Sequence, residues 1–210
     1  LGKEKKQYDP NIHGPLLADY SEEVIVFKRN LVKELRKLWK NKEYEKVEQE
    51  GQAGIDKLPK ESVGEGDKDI AEIYLLTGSA VWELHKDKDR ALKLAKKAAN
   101  FDRNSRGAMW LLREVKNQYS DDSKYYIIEV TGEHFAPTKE GVKLLPFKTM
   151  YTAVADNPDE AMEFVREFER TEIVDSLELK GVKEAEKEGD LPKGIYSTMG
   201  LIVTKNPDNA

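Results

Sequence analysis

The sequence predicts an α+β protein, in which an all-helical N-terminal part precedes a small antiparallel-sheet domain. Up to about residue 120, apolar residues recur at every third or fourth position, which is the spacing of one helix face. Beyond that point, segments rich in aromatic and β-branched residues alternate with turn signals. We therefore expect an irregular arm over residues 1–20, a helical domain over 21–120 and an α+β domain over 121–210.

Five helices are expected in the N-terminal part. Ser21 is a good capping residue for the first, because two glutamates follow it near the positive end of the helix. Pro59 closes the second helix, and Ser105 begins the fifth. The last four helices are expected at about residues 44–58, 69–84, 91–98 and 105–115, with a Gly-rich charged loop over 61–68.

The C-terminal part is expected to follow the order β-β-α-β-β. Asn157 has the features of a helix cap, with Pro158 as the first helical residue and Glu160 three positions after the cap. One sheet face would be covered by this helix, and the other would pack on the helical part or lie open. The strands are expected at residues 125–131, 147–155, 177–180 and 195–203, the last with Ile195, Ser197, Met199, Leu201 and Val203 on one face.

Two stretches of the helical part share the same spacing of large and small residues. Leu31 to Pro59 and Leu75 to Arg103 each span 28 steps, and the matched positions include Gly51 with Ala95. This pattern resembles the tetratricopeptide family, whose repeat is a helix–turn–helix unit of ~34 residues with small residues where its two helices cross. The two copies lie 44 residues apart, and Arg103 stands where the family has a second proline.

The resemblance implies a concave groove lined by the first helix of each hairpin. It also implies a protein-interaction adaptor or scaffold that binds a peptide or helix, because Trp and Arg dominate protein–protein hot spots. Ile73, Leu76, Thr77 and Ala80 in the second copy argue against a clamp for a C-terminal carboxylate. The groove residues are expected to be Arg29, Arg36, Trp39, Lys40, Leu76, Ala80, Glu83, Trp110 and Glu114.

Charge and composition argue against several other classes of function. Residues 1–120 carry a net charge of +3 and the remainder −8, so neither half has the basic balance of a nucleic-acid surface. The absence of cysteine excludes disulfides and thiolate chemistry. No apolar run approaches the ~18 residues of a membrane span. We expect a soluble protein, either cytoplasmic or exported with a segment removed before Leu1, and no membrane insertion.

No catalytic, metal or cofactor site is predicted. His13, His85 and His134 each stand alone, and neither an HExxH pair nor a G-x-S-x-G elbow is present. Three alternatives to the adaptor remain open. A small-molecule or metal sensor would use Glu133 and His134. A homo-oligomer would assemble through an uncovered sheet face or edge. A hydrolase or transferase would need a site between the domains.

Overall fold

The computed structural model describes residues 20–58, 67–138, 141–169 and 171–203. Four predicted features lie wholly or mostly outside these ranges. They are the N-terminal arm up to residue 19, His13, the helix end at Pro59 and the loop over residues 61–68.

The described residues of the N-terminal part form the five predicted helices. The Oγ of Ser21 accepts a hydrogen bond from the Val24 amide at 3.4 Å, and that of Ser105 accepts one from Ala108 at 3.2 Å. Both predicted caps are therefore confirmed. The helices are α1 (Glu22–Lys40), α2 (Tyr44–Lys57), α3 (Lys68–His85), α4 (Lys88–Phe101) and α5 (Arg106–Lys116).

These helices pack in two layers. Each contacts the next along the chain, and in addition α1 contacts α3, and α3 contacts α5. Small residues mark the closest approaches. A Cβ on Gly54 would lie 2.1 Å from the Cδ2 of Leu31, within the first hairpin as expected. A Cβ on Gly51 would lie 2.1 Å from the Oγ1 of Thr77, so Gly51 instead lets α2 approach the following hairpin.

An antiparallel sheet and two helices form the C-terminal part. The strand order is β3-β1-β2-β4, and the short β5 also pairs with β2. The α+β class is confirmed, and the predicted β-β-α-β-β order differs from the structure by one additional short helix and by the division of the last strand. The elements are β1 (Lys124–Thr138), β2 (Gly141–Ala155), α6 (Pro158–Phe168), α7 (Thr171–Val174), β3 (Glu178–Ala185), β4 (Gly194–Thr198) and β5 (Ile202–Val203).

The β1–β2 hairpin is longer than predicted. The pairing continues to Thr138 opposite Gly141, so His134 lies inside β1 rather than in a loop after it. Gly132 directly follows the predicted strand end, and a glycine is needed at this position because the Phe147 ring covers it. A Cβ at this glycine would lie 2.8 Å from the Phe147 Cζ.

The predicted last strand is divided in two, and its expected single face is wrong. A bulge at Thr152 and Ala153 shifts the register, so that Ser197 pairs with Thr152 whereas Ile195 pairs with Ala153. Ile195 is consequently buried and Ser197 exposed. Met199 lies outside both strands and is 44% exposed.

One apolar core joins the helical part to the sheet. Ala98 of α4 and Met109 of α5 are buried in the same cluster as Tyr151 of β2, Phe164 of α6 and Ile195 of β4. The predicted boundary at residue 120 is therefore crossed by continuous packing. The end of the helical layers rests on the sheet and α6, which fixes α5 between the two halves.

Candidate functional site

The exposed side chains of α1, α3 and α5 form a surface that we call the first-helix face. The structure brings the predicted groove residues onto these three adjacent helices but differs in how far each is exposed. Arg29, Arg36, Lys40, Glu83, Trp110 and Glu114 are exposed, whereas Trp39 and Leu76 are half-buried.

Ion pairs tie α1 to α3 across this face. The Arg36 guanidinium donates to both carboxylate oxygens of Glu72, with Nε 2.5 Å from Oε1. These hydrogen bonds raise the pKa of Arg36. The Arg29 Nε lies 4.0 Å from the Asp69 Oδ2. The two acids, which the sequence analysis did not assign to the face, offset the basic character expected from the arginines.

The side of α3 that was expected to line the groove is largely core. Ile73, Thr77 and Ala80 are fully buried, so their predicted exposure is wrong. The reason is that α1 packs directly on this side of α3, with Val32 in the same cluster as Ile73 and Ala80. Leu76 is partly buried against that cluster.

The two tryptophans differ in their environment. Trp39 packs against the α1–α3 cluster, and its ring centroid lies 4.9 Å from that of Tyr44 at the start of α2. Trp110 is 46% exposed, one turn before the exposed Glu114 on α5. Trp110 therefore presents a large apolar surface to solvent, whereas Trp39 contributes to the core.

A cavity of about 240 Å³ borders α5. It lies between α4, α5, α6 and the start of β4. Its apolar walls are formed by Leu92, Met109, Leu112, Phe164, Phe168 and Ile195. No local sequence pattern marks this cavity, because its walls come from four elements that meet only in the folded chain.

Charged groups surround this cavity, and two of its four cations are already paired with acids. The Lys116 ammonium binds Glu167. The Lys193 ammonium lies 3.0 Å from Asp156 and 2.7 Å from Glu160. Hydrogen bonding to Glu160 raises the pKa of Lys193, and hydrogen bonding from Lys193 lowers the pKa of Asp156. Within the described residues, neither Arg113 nor Lys96 has a carboxylate within 4.0 Å.

The residues proposed for a sensor site make structural contacts within and next to the sheet. The backbone amide of Glu133 donates to the Ser176 Oγ at 2.8 Å, which joins β1 to the segment after α7. The His134 ring meets the Phe147 ring edge-on at 5.7 Å. Within the described residues, no three His, Asp or Glu side chains come together in a way that would hold a metal ion.

One of the two sheet edges at which assembly was considered is formed by β3. Its exposed Leu179 and Val182 alternate with charged residues such as Lys180 and Lys183. Charges of this kind on an edge strand discourage pairing with a second chain. Assembly through the sheet stays an alternative, and no contact in the structure favours it.

These elements define an α+β protein whose helical layers are closed at one end by a sheet. No protein-family model, curated protein or solved structure matches the chain. Among the helices that the structure describes, none combines the length and apolar character needed to cross a membrane.

Proposed function

We propose that the protein is an adaptor that holds a peptide or helix of another protein against the first-helix face. The observation that carries this proposal is Trp110, which keeps 46% of its surface in solvent on a helix fixed between two packed layers. Exposed aromatic side chains on rigid elements are frequent anchors of protein–protein interfaces.

The remainder of the face supports the same function. The Arg36–Glu72 and Arg29–Asp69 pairs supply fixed charges of both signs. A polar rim around an aromatic anchor is the usual arrangement of an interface. The resemblance to tetratricopeptide hairpins, in which the first helices bind the partner, agrees with this surface.

The first experiment compares Trp110→Ala with Tyr119→Ala. Both side chains are large and similarly exposed, at 46% and 48%, but Tyr119 lies beyond the end of α5. Partners are captured from a native lysate and identified, and the affinity of each purified partner is then measured by calorimetry. We expect Trp110→Ala to weaken binding at least about tenfold and Tyr119→Ala to leave it unchanged. Equal affinities for the two variants would contradict the proposal.

A second experiment separates recognition from stability at Arg36. The exchange variant Arg36→Glu/Glu72→Arg keeps the ion pair but reverses its direction across α1 and α3. If partner binding depends on the positions of these two charges, the exchange variant weakens binding while its unfolding midpoint stays close to that of the wild type. Unchanged binding would show that Arg36 and Glu72 only join the helices.

A further inference from the structure

Arg113 differs from every other cation around the cavity in its partners. Its Nη1 donates to the backbone carbonyl of Ile195, and its guanidinium carbon lies 3.8 Å above the centre of the Tyr196 ring. Among the described residues, no carboxylate lies within 4.0 Å of it, whereas Lys116 and Lys193 both have one. Burial lowers the pKa of Arg113, which shows that its charge is poorly solvated.

The buried Arg103 shows how a guanidinium inside this protein is stabilised. Arg103 and Glu169 form an ion pair with side chains only 4% and 2% exposed. A guanidinium withdrawn from water is stable when a carboxylate accepts its hydrogen bonds. Arg113 lacks such a partner within the described chain and instead lines a cavity with apolar walls.

The remaining charges of the lining also favour an anion. Four of the twelve lining residues are Lys or Arg, and Glu167 is the single acid. Lys116 already engages Glu167, and Lys96 has no carboxylate within 4.0 Å in the described part of the chain. The positive potential at Arg113 and Lys96 is therefore not cancelled by a facing acid.

The volume of the cavity limits the size of the apolar part of the ligand. An apolar protein cavity of about 150 Å³ binds benzene, so 240 Å³ admits a group about one and a half times as large. The buried Phe164, Phe168 and Met109 provide walls for a short aliphatic or aryl-alkyl chain.

We propose that this cavity binds a small apolar carboxylate, whose chain fills the space between α5 and α6 and whose carboxylate accepts hydrogen bonds from Arg113. Trp110 is not among the residues that line the cavity, so this site is distinct from the aromatic anchor of the first-helix face, although Arg113 follows Trp110 by three positions on α5. Octanoate is a suitable probe because it joins a short alkyl chain to one carboxylate.

The test compares octanoate with octanol and octylamine on the full chain by calorimetry. We expect octanoate to bind about tenfold more tightly than octanol, because only the carboxylate forms a charge-assisted bond to Arg113. The methyl resonance of Met109, observed by NMR, should shift on binding, whereas that of the exposed Met199 should not. The proposal fails if octanoate does not saturate the protein, if octanol or octylamine binds equally well, or if Met109 is unaffected.

Four variants identify the residue that supplies the charge. Arg113→Gln keeps a donor for Ile195 and should bind octanoate and octanol with similar affinity. Arg166→Gln, at an exposed arginine of α6 outside the lining, should retain the tenfold preference. If Lys96→Gln loses the preference and Arg113→Gln keeps it, the assignment to Arg113 is overturned. Arg113→Lys retains the positive charge and should keep part of the preference for octanoate. This result would show that Arg113→Gln loses the preference through the charge and not through misfolding.

Discussion

Arg103 and Glu169 form a buried ion pair between the α4–α5 turn and the end of α6. The Arg103 Nη2 also donates to the Tyr151 hydroxyl at 2.5 Å, and that hydroxyl donates to the Glu169 Oε1. Burial of the hydroxyl raises the pKa of Tyr151 far above its ordinary value, so the phenol stays protonated. Three polar groups are thus hydrogen-bonded to one another inside the core shared by the two halves.

We expect Arg103→Met to lower the free energy of unfolding by about 3–5 kcal/mol, because it leaves the Glu169 carboxylate buried without a counter-ion. Chemical denaturation measures this loss. The double variant Arg103→Met/Glu169→Leu removes both charges and should recover much of the stability. A double variant as unstable as the single one would show that packing, not charge, dominates.

Gly51→Ala should destabilise the protein although alanine is the better helix former. The added methyl group would lie 2.1 Å from the Thr77 Oγ1, which is fully buried and donates to the Ile73 carbonyl. Overpacking of this kind costs about 1–3 kcal/mol, measurable by thermal or urea unfolding. Gly54→Ala is the control, because it meets the end of the half-buried and more adaptable Leu31. A stabilised Gly51→Ala variant would contradict the close approach of α2 and α3.

Trp39→Ala and Trp110→Ala should separate stability from binding. Trp39 packs against the α1–α3 cluster and Tyr44, so its truncation should cost about 2–4 kcal/mol. Trp110 is nearly half exposed, and its truncation should cost less than about 1 kcal/mol. Urea unfolding of both variants checks this order, and the reverse order would place Trp110 in the core.

Glu48 should make stability depend on pH in the acidic range. Burial alone would raise the pKa of Glu48, but hydrogen bonds from His85 and Arg90 outweigh it and hold the pKa below the ordinary value of 4.5. A carboxyl group with a lowered pKa stabilises the fold above pH 4.5, and this contribution disappears as the pH falls through the folded-state value. Glu48→Gln should therefore reduce the loss of stability between about pH 5 and pH 3.

The control for Glu48 is the exposed Glu50 on the same helix. Unfolding midpoints of Glu48→Gln, Glu50→Gln and the wild type are compared across the acidic range. Glu50→Gln should follow the wild type, because no hydrogen bond or ion pair joins Glu50 to the described residues. Parallel pH profiles for all three proteins would exclude the role assigned to Glu48.

Gly194→Ala should disturb both stability and the cavity. Gly194 has a φ of +132°, and a Cβ there would lie 2.9 Å from the Arg113 Cγ. Gly189 also has a positive φ, of +77°, but a Cβ there would have nothing within 4 Å. Each substitution should cost about 1–3 kcal/mol in backbone strain. Only Gly194→Ala should also weaken octanoate binding, and equal octanoate affinities would mean that Arg113 is not displaced.

Local signals predicted the ends of the helices well. Asn157 accepts a hydrogen bond from the Glu160 amide at 2.9 Å, and Pro158 is the first residue of α6, as its sequence indicated. Such caps depend on residues three positions apart, and a single sequence contains that information. The extent of β1 was missed because Gly132 is explained only by Phe147 of another strand.

The candidate sites were predictable only in part. The spacing of the repeat pattern placed Arg29 and Arg36 of α1 on an exposed surface. Their acidic partners on α3 become neighbours only when the two helices pack. Arg103 departs from the repeat pattern, which has a proline at this position. The structure explains the arginine by its ion pair with the distant Glu169. No local sequence pattern marked Arg113 as a binding residue, because its unusual environment depends on β4, some 80 positions further along the chain.

The shared core also determines how the chain is completed during synthesis. Helical hairpins emerge first, with Ala98 and Met109 facing water at the open end of the stack, because the sheet that buries them is made later. Stacked hairpins need a terminal cap with a polar outer surface to remain in solution. The sheet and α6 provide that cap. A chain that ended near residue 120 would consequently leave these apolar side chains in contact with water and prone to aggregation.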